Sequence, residues 1–462
     1  MLGMTGNREW VYAKAIGGTW QRVHRVTGLF LQAFLVLVPW ITIRGMPAVR
    51  IDLPARRLYL LGEVFTASEG FTIALLAITS AFLLFFFTAL FGRLWCGYVC
   101  PQTVFLEEWV RPIEHLLEGD RAVRLRRDAQ GWTFDKAWRR VAKFSAFAAL
   151  ALFVGMAVMQ WFAGAPQLWT GEGGPVDYAM VGVIGAGLFL DWAWFREQLC
   201  SYLCPYARFQ GALVDQDSLI IRYDRARGEP RGKGKEAAKQ GHCIDCNKCV
   251  EVCPAGIDIR NGFQLECISC ARCIDACETV MPKLGHPSLV QYGAMAHDEG
   301  KPVRVIRPRT VVYSVLLTVL LSAIAWRVTH HHHIELQVNR TPGSLFATDP
   351  DGSIRNTFLV HVTNRDAAEA HHFDVKVLGL DGAKVVAPPL DLGPLEARTV
   401  PLVVITPPGV SDRTTPFEVE VSSEESSTKV AATFKAPPKP AAGHEPEREH
   451  HEADAGDAGE EH

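Results

Sequence analysis

Eight of the twelve cysteines fall into two runs of the form C-x2-C-x2-C-x3-C. The first is Cys243, Cys246, Cys249 and Cys253, followed by Pro254; the second is Cys267, Cys270, Cys273 and Cys277. Three closely spaced thiolates can wrap one cube of iron and sulfide while the fourth reaches across to a neighbouring cube. The spacing therefore predicts two [4Fe-4S] clusters, one held by Cys243, Cys246, Cys249 and Cys277, the other by Cys267, Cys270, Cys273 and Cys253. Structural zinc sites use paired C-x2-C knuckles and have no need of a third cysteine in the same run. Glu278 stands where a second proline would complete the repeat, a departure expected to alter the local turn without removing a ligand.

The other four cysteines form two copies of a rarer motif, C-x-x-x-C-P: Cys96 to Cys100 with Pro101, and Cys200 to Cys204 with Pro205. On a helix, residues four apart share a face, so each pair is expected to offer two sulfurs in one direction. The proline would bend or end each helix just beyond the second sulfur. Four converging thiolates could hold and reduce a metal ion, act as a dithiol relay or carry a further cluster. Buried structural thiols are the bland alternative, against which stands duplication of the whole motif, proline included. Other candidates are weaker. Asp191 lies about one turn inside an apolar block, where an ionisable group is costly and often functional, or else faces water at the helix end. His330, His331, His332 and His333, with His444, His450, His451 and His462 near the C-terminus, have the chemistry to bind copper, nickel or zinc, as would any solvated histidine run.

The elements that must position these residues are membrane helices. Five apolar blocks approach the roughly 20 residues needed to cross a hydrocarbon core: Val26 to Ile43, Phe71 to Phe91, Phe144 to Trp161, Tyr178 to Phe195 and Thr310 to Trp326. Each C-x-x-x-C-P motif follows such a block and two blocks separate the motifs, which puts both at one membrane face, together with the cluster insert. Lys and Arg accumulate in cytoplasmic loops. The second connection holds Arg111, Arg121, Arg124, Arg126, Arg127, Lys136, Arg139 and Arg140, whereas Phe162 to Asp177 has no Lys or Arg, so the N-terminus and the clusters are expected in the cytoplasm. Arg44, Arg50, Arg56 and Arg57 dissent on the predicted outer side. After the fifth block, apolar residues alternate with polar ones at Phe358, Val360 and Val362, at Phe373, Val375 and Val377, and at Phe417, Val419 and Val421. Period two marks half-buried strands, here of a small sandwich. From Pro437 onward, Pro, Ala, Glu and His dominate, a composition that buries no core.

A net charge of -3 gives no reason to invoke nucleic acid. Cysteines set at metal spacing, not as a disulfide framework, imply a reducing compartment. The absence of a P-loop or a G-x-G-x-x-G after a strand points to electrons from a partner or a quinol.

With these residues in hand, the chain resembles the CcoG family, also called FixG or RdxA, accessory proteins of cbb3-type cytochrome c oxidase. The resemblance rests on the five spans, the paired C-x-x-x-C-P motifs, the double cysteine insert and an outer immunoglobulin-like domain. It implies a multi-domain fold: a five-helix membrane domain, a ferredoxin-like α+β insert with two [4Fe-4S] clusters and a C-terminal all-β immunoglobulin-like sandwich. The implied organisation is a cytoplasmic segment at 1–25, spans at 26–195 and 310–326, a cytoplasmic cluster region at 196–309, a periplasmic domain at 334–436 and a disordered tail at 437–462 of a bacterial inner-membrane protein. The implied activity is reduction of Cu(II) to Cu(I) during oxidase maturation, with Cys96, Cys100, Cys200 and Cys204 as the reducing site and possible copper ligands. The oxidase and copper-delivery factors are the implied partners, and the electron donor is unidentified. A quinol-oxidising subunit similar to the NapH proteins, or a non-enzymatic assembly scaffold, would share the cysteines; an outer sandwich has no evident use in a simple relay.

Overall fold

A computed structural model describes residues 10–66, 70–232, 241–329, 334–343, 345–366, 369–408, 414–423 and 426–437. The chain divides into two compact units, Met1–Thr329 and His330–His462. The histidine run at 330–333 and the tail from 438 lie outside the described residues.

In the first unit the five expected spans are helices Thr19–Leu37, Gly70–Phe91, Phe134–Ala163, Pro175–Leu190 and Pro308–Thr329; the fourth continues through a π-helical turn, Asp191–Phe195, and so extended the five are long and apolar enough to cross a membrane. Their ends differ from the apolar blocks because caps, not hydropathy, set them. The first helix begins seven residues early, at Thr19, and stops before Ile43. Pro39 sits in a 3₁₀ turn, Val38–Trp40, that closes it, and Ile43 belongs to a short strand, Thr42–Ile43. The third helix begins at Phe134, ten residues before the apolar block, because the Thr133 hydroxyl accepts from the Lys136 amide and so caps the first turn. The third and fourth spanning helices approach closely at small residues: a Cβ on Gly155 would lie 2.9 Å from the Val181 carbonyl, the packing that glycine allows between membrane helices.

The first connection is not a plain loop. Val49–Asp52, Arg57–Leu60 and Glu63–Thr66 form an antiparallel sheet. Arg50 donates to the Phe162 carbonyl at 3.2 Å and pairs with Asp52, and Arg44 pairs with Glu63, so Arg44 and Arg50 are engaged locally. At the opposite end of the bundle lies the α+β insert. Its small core contains Ile221, Ile257, Ile259, Ile274, Met281 and Val290, beneath a two-stranded sheet pairing Ile220–Tyr223 with Val290–Gly293.

The second unit is a sandwich of antiparallel sheets. One has the order Lys384–Val386, Ala397–Thr406, Ile354–Asn364, Ile334–Arg340; the other has the order Leu390–Leu392, His371–Leu378, Thr414–Ser422, Ser427–Lys435. Phe358, Val360, Val362, Phe417, Val419 and Val421 are buried, as the alternation predicts; Phe373 joins them, while Val375 and Val377 are only partly buried against the core. Buried Asn356 links the sheets, donating to the Lys435 carbonyl at 2.8 Å and accepting from the Lys435 amide at 2.9 Å.

Candidate functional site

The two cysteine runs are built alike, down to an unusual backbone state. Asp245 and Asn247 flank Cys246 with φ of 51° and 58°; Ser269 and Ala271 flank Cys270 with φ of 56° and 60°. Left-handed backbone at a non-glycine residue is disfavoured by on the order of 1–3 kcal/mol, so the same strain at the same register marks two equivalent loops. Each loop curls its three thiols round a cavity. One cavity is lined by Cys243, Cys246, Cys249 and Cys277, the other by Cys253, Cys267, Cys270 and Cys273, with Cys249 also on its wall. Among the described residues no three Cys, His, Asp or Glu side chains are placed to hold a single metal ion. Thiols ringing a space fit a four-iron cube, which fills the centre itself, better than one zinc ion. Glu278 has the effect its type suggests. Pro254 keeps Cys253 outside helix Lys248–Glu251, whereas helix Arg272–Glu278 runs on through Cys277.

Burial pushes the thiols up, Cys253 and Cys267 to about 11 and Cys249 and Cys270 to about 12. Without iron they keep their protons at neutral pH.

The C-x-x-x-C-P motifs correct the expectation of two sulfurs on one helical face. Helix Leu94–Tyr98 carries Cys96 but ends before Cys100, which is extended (ψ 124°) and precedes helix Pro101–Phe105. Likewise Cys200 lies in a π-helical turn, Leu199–Leu203, and Cys204 is extended (ψ 111°) ahead of helix Pro205–Leu213. The proline acts on the residue before it, excluding it from the α region, and then serves as the first residue of the next helix. The four thiols nonetheless share one locality: Cys96 feels Cys100 and Cys204, and Cys200 feels Cys96, Cys100 and Cys204. Burial raises Cys96 to about 11 and Cys200 to about 12, and raises Cys100 against the pull of the Thr103 and Gln102 amides.

Residues that the spacing did not reveal complete the site. Cys96 donates its S–H to Gln210 at 2.9 Å, and Gln210 also accepts from Arg93. Gly97 stands against the second cysteine loop: a Cβ there would lie 2.6 Å from the Ile268 carbonyl and 3.1 Å from the Cys270 amide. Only glycine lets the two backbones meet, so the thiol motif docks directly on the loop that carries Cys267 and Cys270. Tyr98 reinforces the contact, its hydroxyl 3.2 Å from that of Tyr292, which donates to the Ser269 carbonyl at 2.7 Å. On the other side, Asp275, between Cys273 and Cys277, accepts from the Trp20 and Gln21 amides at 3.1 and 2.8 Å. The insert thus caps the first spanning helix, and a Cβ on Gly18 would strike that carboxylate. Beneath runs a buried ion-pair chain. Glu107 takes Arg111 at 2.8 Å and Arg272 at 2.6 Å, Arg111 meets Glu197 at 2.5 Å, and Glu114 takes Arg196 bidentately at 2.9 Å. No local sequence signal marks these residues, because their partners lie far along the chain. Asp191 is buried, not water-facing.

Family profiles agree with this architecture. A 4Fe-4S dicluster domain matches residues 195–295, a 4Fe-4S binding domain matches residues 73–117, and the immunoglobulin-like fold at the C-terminus of FixG matches residues 324–437. The chain is 38% identical over 372 residues to protein RdxA of Cereibacter sphaeroides, covering 76% of this chain and 78% of the relative. It is 36% identical over 404 residues to nitrogen fixation protein FixG of Rhizobium meliloti, covering 77% of each. Protein RdxB of Cereibacter sphaeroides is 36% identical, with 80% of this chain and 82% of the relative covered. The chain belongs to the FixG/RdxA family of iron-sulfur, electron-transferring membrane proteins.

Proposed function

We propose that this protein is a cupric reductase in which Cys96, Cys100, Cys200 and Cys204 hold Cu(II) as substrate and release it as Cu(I), in support of cbb3-type oxidase assembly. The observation that carries the reading is the glycine contact: Gly97 brings the thiol motif into backbone contact with the loop of Cys267 and Cys270. In this reading Cys253, Cys267, Cys270 and Cys273 hold the nearer [4Fe-4S] cluster and Cys243, Cys246, Cys249 and Cys277 the outer one. The clusters supply one electron at a time, which matches the one-electron copper couple. The protein's own part is to set the gap through Gly97, to fix the Cys96 sulfur through Gln210 and to offer soft ligands that favour the Cu(I) product. The clusters and the thiols face the cytoplasm, on the charge asymmetry of the loops, with the sandwich on the periplasmic side as a docking domain for the oxidase or a copper-delivery factor.

A second reading has a specific support. The 4Fe-4S binding profile spans Cys96 and Cys100, and the thiols are not placed round a single ion, which suits a further cluster. Iron and sulfide analysis separates the two. The reductase reading expects about eight of each per chain, unchanged in a Cys96→Ser/Cys100→Ser variant, with Cu(I), trapped by a Cu(I)-specific chelator, formed by the wild type alone. About twelve iron in the wild type, falling in the variant, would establish the second reading.

A further inference from the structure

Arginines act on both cysteine loops, and their charges are not equally matched. Arg260, which acts on Cys249, is held by Asp245 at 2.6 Å and Asp258 at 2.7 Å. Arg272, which acts on Cys270, is held by Glu107 at 2.6 Å. Arg93 is different. It is 3% exposed, its Nε donates to the neutral Gln210 at 3.3 Å, its Nη1 is buried without a partner, and among the described residues no carboxylate pairs with it. A buried cation without a counter-charge is costly, and the negative charge nearest to hand is that of the thiolates.

The backbone on either side fixes where this charge sits. Gly92 has φ of 56°, and a Cβ there would lie 2.2 Å from the Leu219 carbonyl, just as a Cβ on Gly97 would strike Ile268 and Cys270. Residues 92 to 97 are thus pressed against the insert at two points, with Arg93 between them. There Arg93 and Cys96 share the Oε1 of Gln210, a fully buried side chain. Burial raises the Cys96 and Cys267 thiols, and Arg93 is among the groups that pull each of them back. The guanidinium therefore acts at once on a thiol of the C-x-x-x-C-P site and on a cysteine of the nearer cluster loop.

We infer that Arg93 is a positioning charge for electron transfer, raising the reduction potential of the nearer [4Fe-4S] cluster so that the electron gathers beside the thiols. Reduction adds one electron to a cluster and makes or breaks no bond; a fixed cation close by favours the added negative charge. Arg260 and Arg272 supply no such bias, because their carboxylates cancel them. The inference rests on the reading that Cys253, Cys267, Cys270 and Cys273 hold the nearer cluster, and it needs no copper.

The test is an EPR-monitored potentiometric titration of the full-length, copper-free protein in detergent. The nearer cluster is the one whose signal Cys246→Ser leaves unaltered. Arg93→Gln should lower its reduced-to-oxidised ratio about tenfold at a fixed solution potential, which is about 59 mV for a one-electron couple, with the outer cluster unmoved. Arg93→Lys keeps the charge and should restore most of the loss. Gln210→Glu leaves Arg93 in place, sets a carboxylate against it and should lower the same potential; it decides the matter if Arg93→Gln does not assemble its clusters. Unchanged potentials, or equal shifts in both clusters, overturn the inference. So does loss of iron in Arg93→Lys as well as in Arg93→Gln, which would make Arg93 a structural residue. A shifted potential in a protein that does not reduce Cu(II) would refute the proposed function alone; Cu(II) reduction with potentials indifferent to Arg93 would refute this inference alone.

Discussion

The two units bury different things. The C-terminal sandwich buries alternating Phe, Val and Leu, and its buried polar side chains among the described residues, such as Asn356 and Thr406, are uncharged. The membrane unit buries Glu107, Arg111, Glu114, Arg124, Arg196, Arg272 and Asp275 around its thiols. A buried ion pair is weak as a source of net stability, because desolvation offsets the attraction; well-packed apolar side chains would hold a fold at least as firmly. The difference teaches that the membrane unit is organised to fix positions, those of two cysteine loops and two thiol motifs, whereas the sandwich is organised only to persist and present a surface.

Breaking the polar chain should have the largest effect. Glu114→Gln leaves Arg196 and Arg124 buried without their carboxylate, and should lower the unfolding free energy in detergent by on the order of 3–5 kcal/mol. The pH dependence has a definite sign. Burial pushes the Glu114 carboxyl up, but Arg196 and Arg124 overcome this and hold it at about 2. A depressed folded value stabilises above the unfolded value near 4.5, and that stabilisation is lost as pH falls toward 2. The gap between wild type and Glu114→Gln should therefore narrow from pH 4.5 downward; a constant gap would mean that the carboxylate is not what the arginines hold.

In the sandwich the corresponding break is a cavity. Phe417→Ala should cost about 3–5 kcal/mol in the unfolding of that unit, yet leave iron and sulfide content as in the wild type; loss of iron would show that the units do not hold their cores separately. Gly97→Ala comes next in size. In a free helix alanine would stabilise, but here the methyl must displace the Ile268–Cys270 backbone. Copper-driven oxidation of the clusters should slow by on the order of ten- to a hundredfold, with cluster absorbance intact, and an unchanged rate would remove the contact from the electron path. The smallest effect belongs to the sandwich surface. His372 and Asp391 are both exposed, and Asp391→Asn should leave the unfolding midpoint unmoved.

The sequence was most legible where one residue type carries the physics. Cysteine spacing anticipated the two groups of thiols that ring the cavities, and period-two alternation anticipated the buried faces at Phe358 and Phe417. Helix ends were less legible, because the ends at Thr19 and Phe134 depend on partners, Asp275 in one case and Thr133 in the other, that hydropathy does not register. The state of Cys100 and Cys204 was misread for a physical reason: the i, i+4 rule holds inside a helix, and a following proline removes the second residue from that helix. Gln210, Gly97, Arg272 and Glu107 were illegible because their roles arise from contacts across more than a hundred residues of sequence, which no local pattern encodes.

The central claim is that electrons leave the clusters through the C-x-x-x-C-P thiols. The direct measurement is anaerobic stopped-flow mixing of the chemically reduced protein with Cu(II), following recovery of the oxidised-cluster absorbance in the wild type and in Cys96→Ser/Cys100→Ser. The account predicts rapid reoxidation in the wild type and clusters that stay reduced in the variant, with their spectrum otherwise unaltered. Reoxidation of the variant at the wild-type rate would contradict it.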